Sequence, residues 1–151
     1  MFDGILERFP KLKIVSAHGG GYVSHYPARM DHVWGARVDA RTVLRRSPRR
    51  SLAKLYFDTI VFDREQLRHL VNLWGADHIV AGTDYPYDMG WYDPRGFVDG
   101  CDFLTEDDKA KILGGNAARL LKITSRLPAM GRPAPAAGPA KKLAPRARAR
   151  K

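Results

Sequence analysis

Two short segments of this chain end on side chains able to do chemistry. Ile14-Val-Ser-Ala runs into His18, which is followed by Gly19, Gly20 and Gly21. Ile79-Val-Ala-Gly-Thr runs into Asp84, which is followed by Tyr85 and Pro86. Each reads as a strand that hands one functional side chain to a loop at its C-terminal end. The glycines remove Cβ bulk beside the histidine and permit positive φ, so a substrate or metal can approach the backbone. Imidazole accepts and returns protons near neutral pH. A histidine and an aspartate at two strand ends therefore make a candidate active site.

Those ends need elements to position them. Gly4–Phe9 reads as an amphipathic helix end stopped by Pro10, and 12–17 as a short strand. A helix is expected over about 22–34, with Pro27 tolerated near its first turn and Val23, Tyr26, Met30, Val33 and Trp34 as its apolar stripe. His25, Arg29 and His32 would share a face of that helix, read as packing or surface. The arginine-rich stretch 37–52 reads as a surface helix or loop. A second strand is expected over 55–62, dense in aromatic and β-branched residues. Asp63 should N-cap a helix that buries Leu67, Leu70, Val71 and Trp74 and ends at Gly75. The third strand, 78–82, is almost wholly apolar, as for a strand covered on both faces. Thr105 should cap a helix with acids in its first turn, and Asn116 a last one through Leu121. Strands and helices alternating at this spacing predict parallel βαβ units in an α/β fold.

Composition narrows the function. The 151 residues suit one domain, and the 44% hydrophobic content is ordinary for a globular protein. No apolar run approaches the roughly 20 residues of a membrane helix, so no membrane span is expected. The first residues lack a signal-peptide pattern, and the single cysteine, Cys101, excludes an internal disulfide. A reduced, cytoplasmic setting follows as the expectation. Of the net charge of +10, eight positive charges fall in 126–151, which has no acid, leaving the first 125 residues at +2. The high pI is thus a property of the tail, and no specific nucleic-acid binding is expected. Residues 125–151, rich in Ala, Pro, Arg and Lys, are expected to be disordered, with 1–124 as the folded part.

The chain resembles the metal-dependent amidohydrolases, in the branch of 2-amino-3-carboxymuconate-6-semialdehyde decarboxylase and related non-oxidative decarboxylases. The resemblance is carried by Arg8-Phe-Pro-Lys-Leu-Lys13, Ala17-His-Gly-Gly-Gly21, Tyr56-Phe-Asp-Thr59, Ile79-Val-Ala-Gly-Thr-Asp-Tyr-Pro86 and Gly115-Asn-Ala-Ala118, across residues 4–123. It implies an eight-stranded (β/α) barrel with its site at the C-terminal strand ends, the three strands here being the sixth to eighth. It implies that Asp84 ligates a divalent metal, zinc being the first expectation. His18 would move a proton or activate water beside that metal. Arg29 would bind a carboxylate of a small substrate, in some members across a subunit interface, which makes a homo-oligomer compatible with the site. Asp58, a carboxylate in an apolar strand and costly there unless paired, is a candidate for supporting the site from inside the barrel.

The departures matter as much. The family's His-x-His pair occurs nowhere in the chain, whereas catalytic zinc sites usually have three protein ligands. Three strands cannot close a barrel, so open edges remain. The expectation is a C-terminal portion of about three βα units, inactive alone. The alternative is a non-catalytic interaction module that uses exposed sheet edges and a polycationic tail. An esterase-type His-Gly-Gly-Gly oxyanion loop is disfavoured, because no Gly-x-Ser-x-Gly nucleophile elbow is present.

Overall fold

Three parallel strands form the centre of the molecule, in the order β1-β2-β3: β1 (Val15–Ser16), β2 (Tyr56–Asp58) and β3 (Ile79–Val80). Val15 is paired with Tyr56, and Asp58 with Val80. The computed structural model describes residues 1–123; the tail expected to be disordered lies outside them. The helices are α1 (Ile5–Arg8), α2 (Gly21–His25), α3 (Pro27–Ala36), α4 (Pro48–Leu52), α5 (Arg64–Trp74), α6 (Pro94–Asp99), α7 (Glu106–Ala110) and α8 (Asn116–Leu121). Among the described residues no helix is long and apolar enough to cross a membrane.

The strands are shorter than their hydrophobic runs, for a reason that matters to the site. β1 stops where His18 and Gly19 turn into the left-handed region, at φ 57° and 59°. β2 stops because Asp58 turns its carboxylate back onto the amide of Ile60, at 3.0 Å. Each strand therefore ends in a tight backbone turn at the same rim.

Helix α5 follows from its sequence. Asp63 accepts hydrogen bonds from the amides of Glu65 and Gln66 at 2.7 and 3.1 Å, satisfying donors that the first turn leaves free. Leu67 and Leu70 are fully buried, and Gly75 ends the helix at φ 83°. Thr105 and Asp108 form a reciprocal capping box at α7. Phe57, Leu52, Ile79, Val98, Cys101 and Ile112 complete a core with no exposed surface. Burying such apolar side chains contributes about 1.5–3 kcal/mol each. Burial also pushes the Cys101 thiol above its ordinary range, which fits an inert residue.

Three expectations are corrected. The helix over 22–34 is two helices broken at Tyr26 (φ −122°, ψ 46°), because Pro27 begins α3 rather than sitting inside a continuous helix. Tyr26 is consequently 60% exposed and stacks on Tyr22 instead of joining an apolar stripe. The arginine-rich stretch is partly core, since Leu44 and Leu52 are fully buried and Trp34 Nε1 donates to the Leu44 carbonyl at 2.9 Å. Asn116 caps nothing. A π-turn, Lys111–Gly115, runs straight into α8, and the buried Asn116 amide donates to the carbonyls of Ala76 and Ile79 at 2.8 and 2.7 Å.

Candidate active site

The C-terminal ends of β1 and β3 bring His18 and Asp84 together across 66 residues of chain, with His18 Nε2 3.4 Å from Asp84 Oδ1. Both residues hold positive φ, 57° and 58°, in a region that non-glycine residues rarely occupy. The His18 side chain is 64% exposed and that of Asp84 17%. A long contact this open to water adds little to stability, so its interest is chemical.

Asp58, at the end of the strand between them, holds the turn that carries His18. Its Oδ2 accepts from the His18 amide at 3.0 Å, and its Oδ1 accepts from the Gly19 amide at 2.8 Å. The carboxylate is thus satisfied by backbone donors, which resolves the cost of placing it in an apolar strand. Gly19 and Gly20 are required by close packing as well as by φ. A Cβ on Gly20 (φ 77°) would stand 2.6 Å from Phe57 Cδ1, and one on Gly19 would overlap the Val61 side chain.

Two supporting residues escaped the sequence reading. The fully buried Ser24 hydroxyl donates to the carbonyls of Gly19 and, at 3.1 Å, Gly21. Trp74 Nε1 donates to the Ser24 carbonyl at 3.0 Å and so ties α5 to the same turn. The available signal was a serine three residues after a glycine in a short helix, where a hydroxyl bonds back to a preceding carbonyl. Thr59 closes the β3 end, its hydroxyl accepting from the Gly82 amide at 3.1 Å.

Among the described residues Arg29 makes no hydrogen bond to His18, Asp58 or Asp84. It is exposed on α3, beyond the break at Tyr26, and among the described residues its side chain has no ion pair. The break also separates His25 from Arg29 and His32. His25 turns instead towards α5 and stacks on His69, with ring centroids 5.5 Å apart. His78 is structural, bonded to the Leu55 carbonyl at 2.7 Å and stacked on Tyr56.

A cavity of 290 Å³ beside His18 is lined in part by His25, Ile60, Phe62 and Gln66. Trp91 packs 6.1 Å from Phe62, and Tyr85, Tyr87 and Tyr92 are exposed on the loop after Asp84, giving the rim an aromatic character. A partly exposed carboxylate beside an imidazole nitrogen suits a divalent cation. Among the described residues, however, no group of three or more His, Cys, Asp or Glu is gathered to hold one. Asp84 thus fits a metal as one member of its shell only, with His18 beside it.

The chain is similar to known proteins of one family. The amidohydrolase family profile matches residues 1–123. The chain is 37% identical over 122 residues to a 2-amino-3-carboxymuconate-6-semialdehyde decarboxylase of Dictyostelium discoideum, covering 80% of this chain and 34% of the relative. It is 34% identical over 128 residues to the enzyme of that name in Caenorhabditis elegans, covering 84% of this chain and 32% of the relative. The chain thus spans about a third of the length of these relatives. Among solved structures, a 5-carboxyvanillate decarboxylase from Sphingomonas paucimobilis superposes with a TM-score of 0.69 at 29% identity, over 82% of this chain and 37% of that one. A dihydroxybenzoic acid decarboxylase from Polaromonas, with bound manganese and 2-nitroresorcinol, gives 0.71 at 25% identity, over 82% and 38%. The three βα units are accordingly part of a (β/α) barrel.

Proposed function

The chain belongs to the amidohydrolase family, and from that premise we propose that it forms one wall of the active site of a metal-assisted decarboxylase acting on a small carboxylated substrate. The observation that carries the reading is the approach of His18 and Asp84 to 3.4 Å at the strand ends. Relatives named for muconate-semialdehyde, carboxyvanillate and dihydroxybenzoate decarboxylation support a planar unsaturated or aromatic acid as substrate. The aromatic rim around Phe62 and Trp91 supports the same class, since ring faces pack on ring faces.

In this reading Asp84 is one ligand of a divalent metal, and the remaining ligands come from outside the described residues. Zinc, expected from the sequence, and manganese, bound in the Polaromonas relative, both accept a carboxylate oxygen. When bound, such an ion supplies Lewis acidity towards a substrate oxygen or water. Loss of carbon dioxide leaves an electron pair on carbon that must take up a proton. His18 Nε2 is the group placed to deliver that proton, and Asp84 fixes where the ring points. Asp58 holds the His18 backbone, which fixes where the ring is attached. Arg29 grips a substrate carboxylate through its guanidinium fork, from an exposed position suited to reaching a neighbouring subunit. Alone, the chain is inactive.

The exposed flank of the sheet favours a second reading as an association module. Val15 on the edge strand is 48% exposed, with Leu12 at 42% and Phe9 at 52% beside it in sequence. One experiment separates the two. The chain is combined with a polypeptide supplying the rest of the barrel, and carbon dioxide release and metal content are measured. Decarboxylation that His18→Ala abolishes with metal retained, and metal content that Asp84→Ala lowers, are the expected results. Stable association with neither metal nor turnover would favour the module, and unchanged metal in Asp84→Ala would refute the ligand assignment.

A further inference from the structure

A cavity of 540 Å³ is lined in part by Glu7, Arg45, Arg46, Arg50 and Lys54. It lies at the N-terminal end of β2, opposite the rim of His18, Asp58 and Asp84. Lys54 precedes that strand and Asp58 ends it, so about 13 Å of extended chain separates the two places. A ligand in this cavity would not compete with a substrate at the His18 rim.

The cations here are not spent on internal ion pairs. Arg49, on the same helix as Arg50, is taken up by Asp31 at 3.1 Å. Among the described residues Arg45, Arg46 and Arg50 have no such carboxylate, and all three are exposed. Lys54 Nζ donates to the Leu6 carbonyl at 3.1 Å, which fixes its ammonium on the cavity wall. Glu7 supplies the single opposing charge in the lining: its Oε2 lies 3.5 Å from the Arg45 amide, and its Oε1 is buried without a partner. Four cations and one carboxylate leave the lining at +3.

We propose that this cavity binds a diphosphate group, as carried by a nucleoside diphosphate. Each phosphoryl group holds between about one and two negative charges near neutral pH, so two adjacent groups answer a lining of +3. A single carboxylate would leave most of that charge unanswered. Guanidinium forks match phosphate oxygens in bidentate geometry, and three arginines line this cavity. Pockets for small molecules run to about 300–1,000 Å³, so the volume leaves room for a group attached to the diphosphate.

The test is isothermal titration of the full 151-residue chain with pyrophosphate, adenosine diphosphate, inorganic phosphate and citrate at constant ionic strength. Saturable binding of pyrophosphate and adenosine diphosphate is expected, with inorganic phosphate and citrate at least about tenfold weaker. The double variant R46A/R50A, which alters only exposed side chains, should lose about tenfold or more in affinity for both diphosphates. His18→Ala should leave that affinity unchanged. The eight cations of 126–151 remain in the double variant, so undiminished binding by it would assign the anion to the tail and overturn the proposal. Citrate binding as tightly as pyrophosphate would overturn the phosphoryl assignment. Adenosine diphosphate binding much more weakly than pyrophosphate would overturn the nucleoside diphosphate.

Discussion

Asp58 grips the backbone of His18 from forty residues away, its Oδ2 accepting the His18 amide at 3.0 Å while its Oδ1 takes the amide of Gly19. The carboxylate expected to support the site from inside the barrel thereby acts on the backbone that carries His18. Its two oxygens are occupied by backbone donors, including the Ile60 amide of its own turn. In the proposed reaction the histidine moves the proton, and the aspartate holds the backbone on which it stands.

Removing that grip should be visible without any activity. Asp58→Ala leaves three amide donors without their acceptor, at a cost of about 1–3 kcal/mol, since part of the turn is open to water. Urea unfolding gives that loss, and amide hydrogen exchange localises it. The amides of His18 and Gly19 should exchange faster than in the parent while those of α5 keep their relative protection. Unchanged protection at His18 would show that the carboxylate does not hold the turn.

The glycines after His18 should not be equivalent. Gly21 has φ 52° with nothing within 4 Å of a built Cβ, so Gly21→Ala costs only backbone strain, about 1–3 kcal/mol. Gly20 has φ 77° and would in addition meet Phe57 at 2.6 Å and Ser24 at 2.9 Å. Gly20→Ala should therefore cost about 1–3 kcal/mol more than Gly21→Ala, read from denaturation midpoints. Equal costs would mean that the turn needs glycine for φ alone.

Stability should also carry an acid-sensitive component from Asp31. This carboxylate ties α3 to α4, accepting from the Ser47 hydroxyl, the Arg49 amide and the Arg49 guanidinium. Partial burial raises its pKa, but the bonds from Ser47 and Arg49 outweigh that and hold it below its ordinary value. A folded-state pKa below the unfolded one means that the unfolded chain binds the proton first. The contribution is fully present above about pH 4 and is lost as pH falls through the folded value. Unfolding free energy measured against pH should fall on acidification, and Asp31→Asn should flatten that slope. An identical slope in the variant would remove Asp31 from the account.

Much of this site was legible because its signals are local. His18 before three glycines and Asp84 before Tyr-Pro each mark a strand end, and α5 announced itself through Asp63, its apolar spacing and Gly75. The break at Tyr26 was misread because proline fits either the first turn of a helix or a point just inside it. Only packing selected the start of α3. Asn116 was misread for a similar reason: a helix-capping residue type was used for a long-range bond to Ala76 and Ile79.

The sequence by itself determined the α/β class, the parallel strands, the two chemical side chains and the family to which they belong. Those follow from hydrophobic period, turn chemistry and motif, which are written in neighbouring residues. Tertiary structure alone decided that His18 meets Asp84 across 66 residues, that Asp58 accepts the backbone amides of His18 and Gly19, and that Arg29 lies on a helix separate from the one carrying His25. It also gathered Arg45, Arg46, Arg50 and Lys54 around Glu7 at the opposite rim. Such relationships depend on strand register and helix placement, which the whole core sets by packing and no short segment encodes.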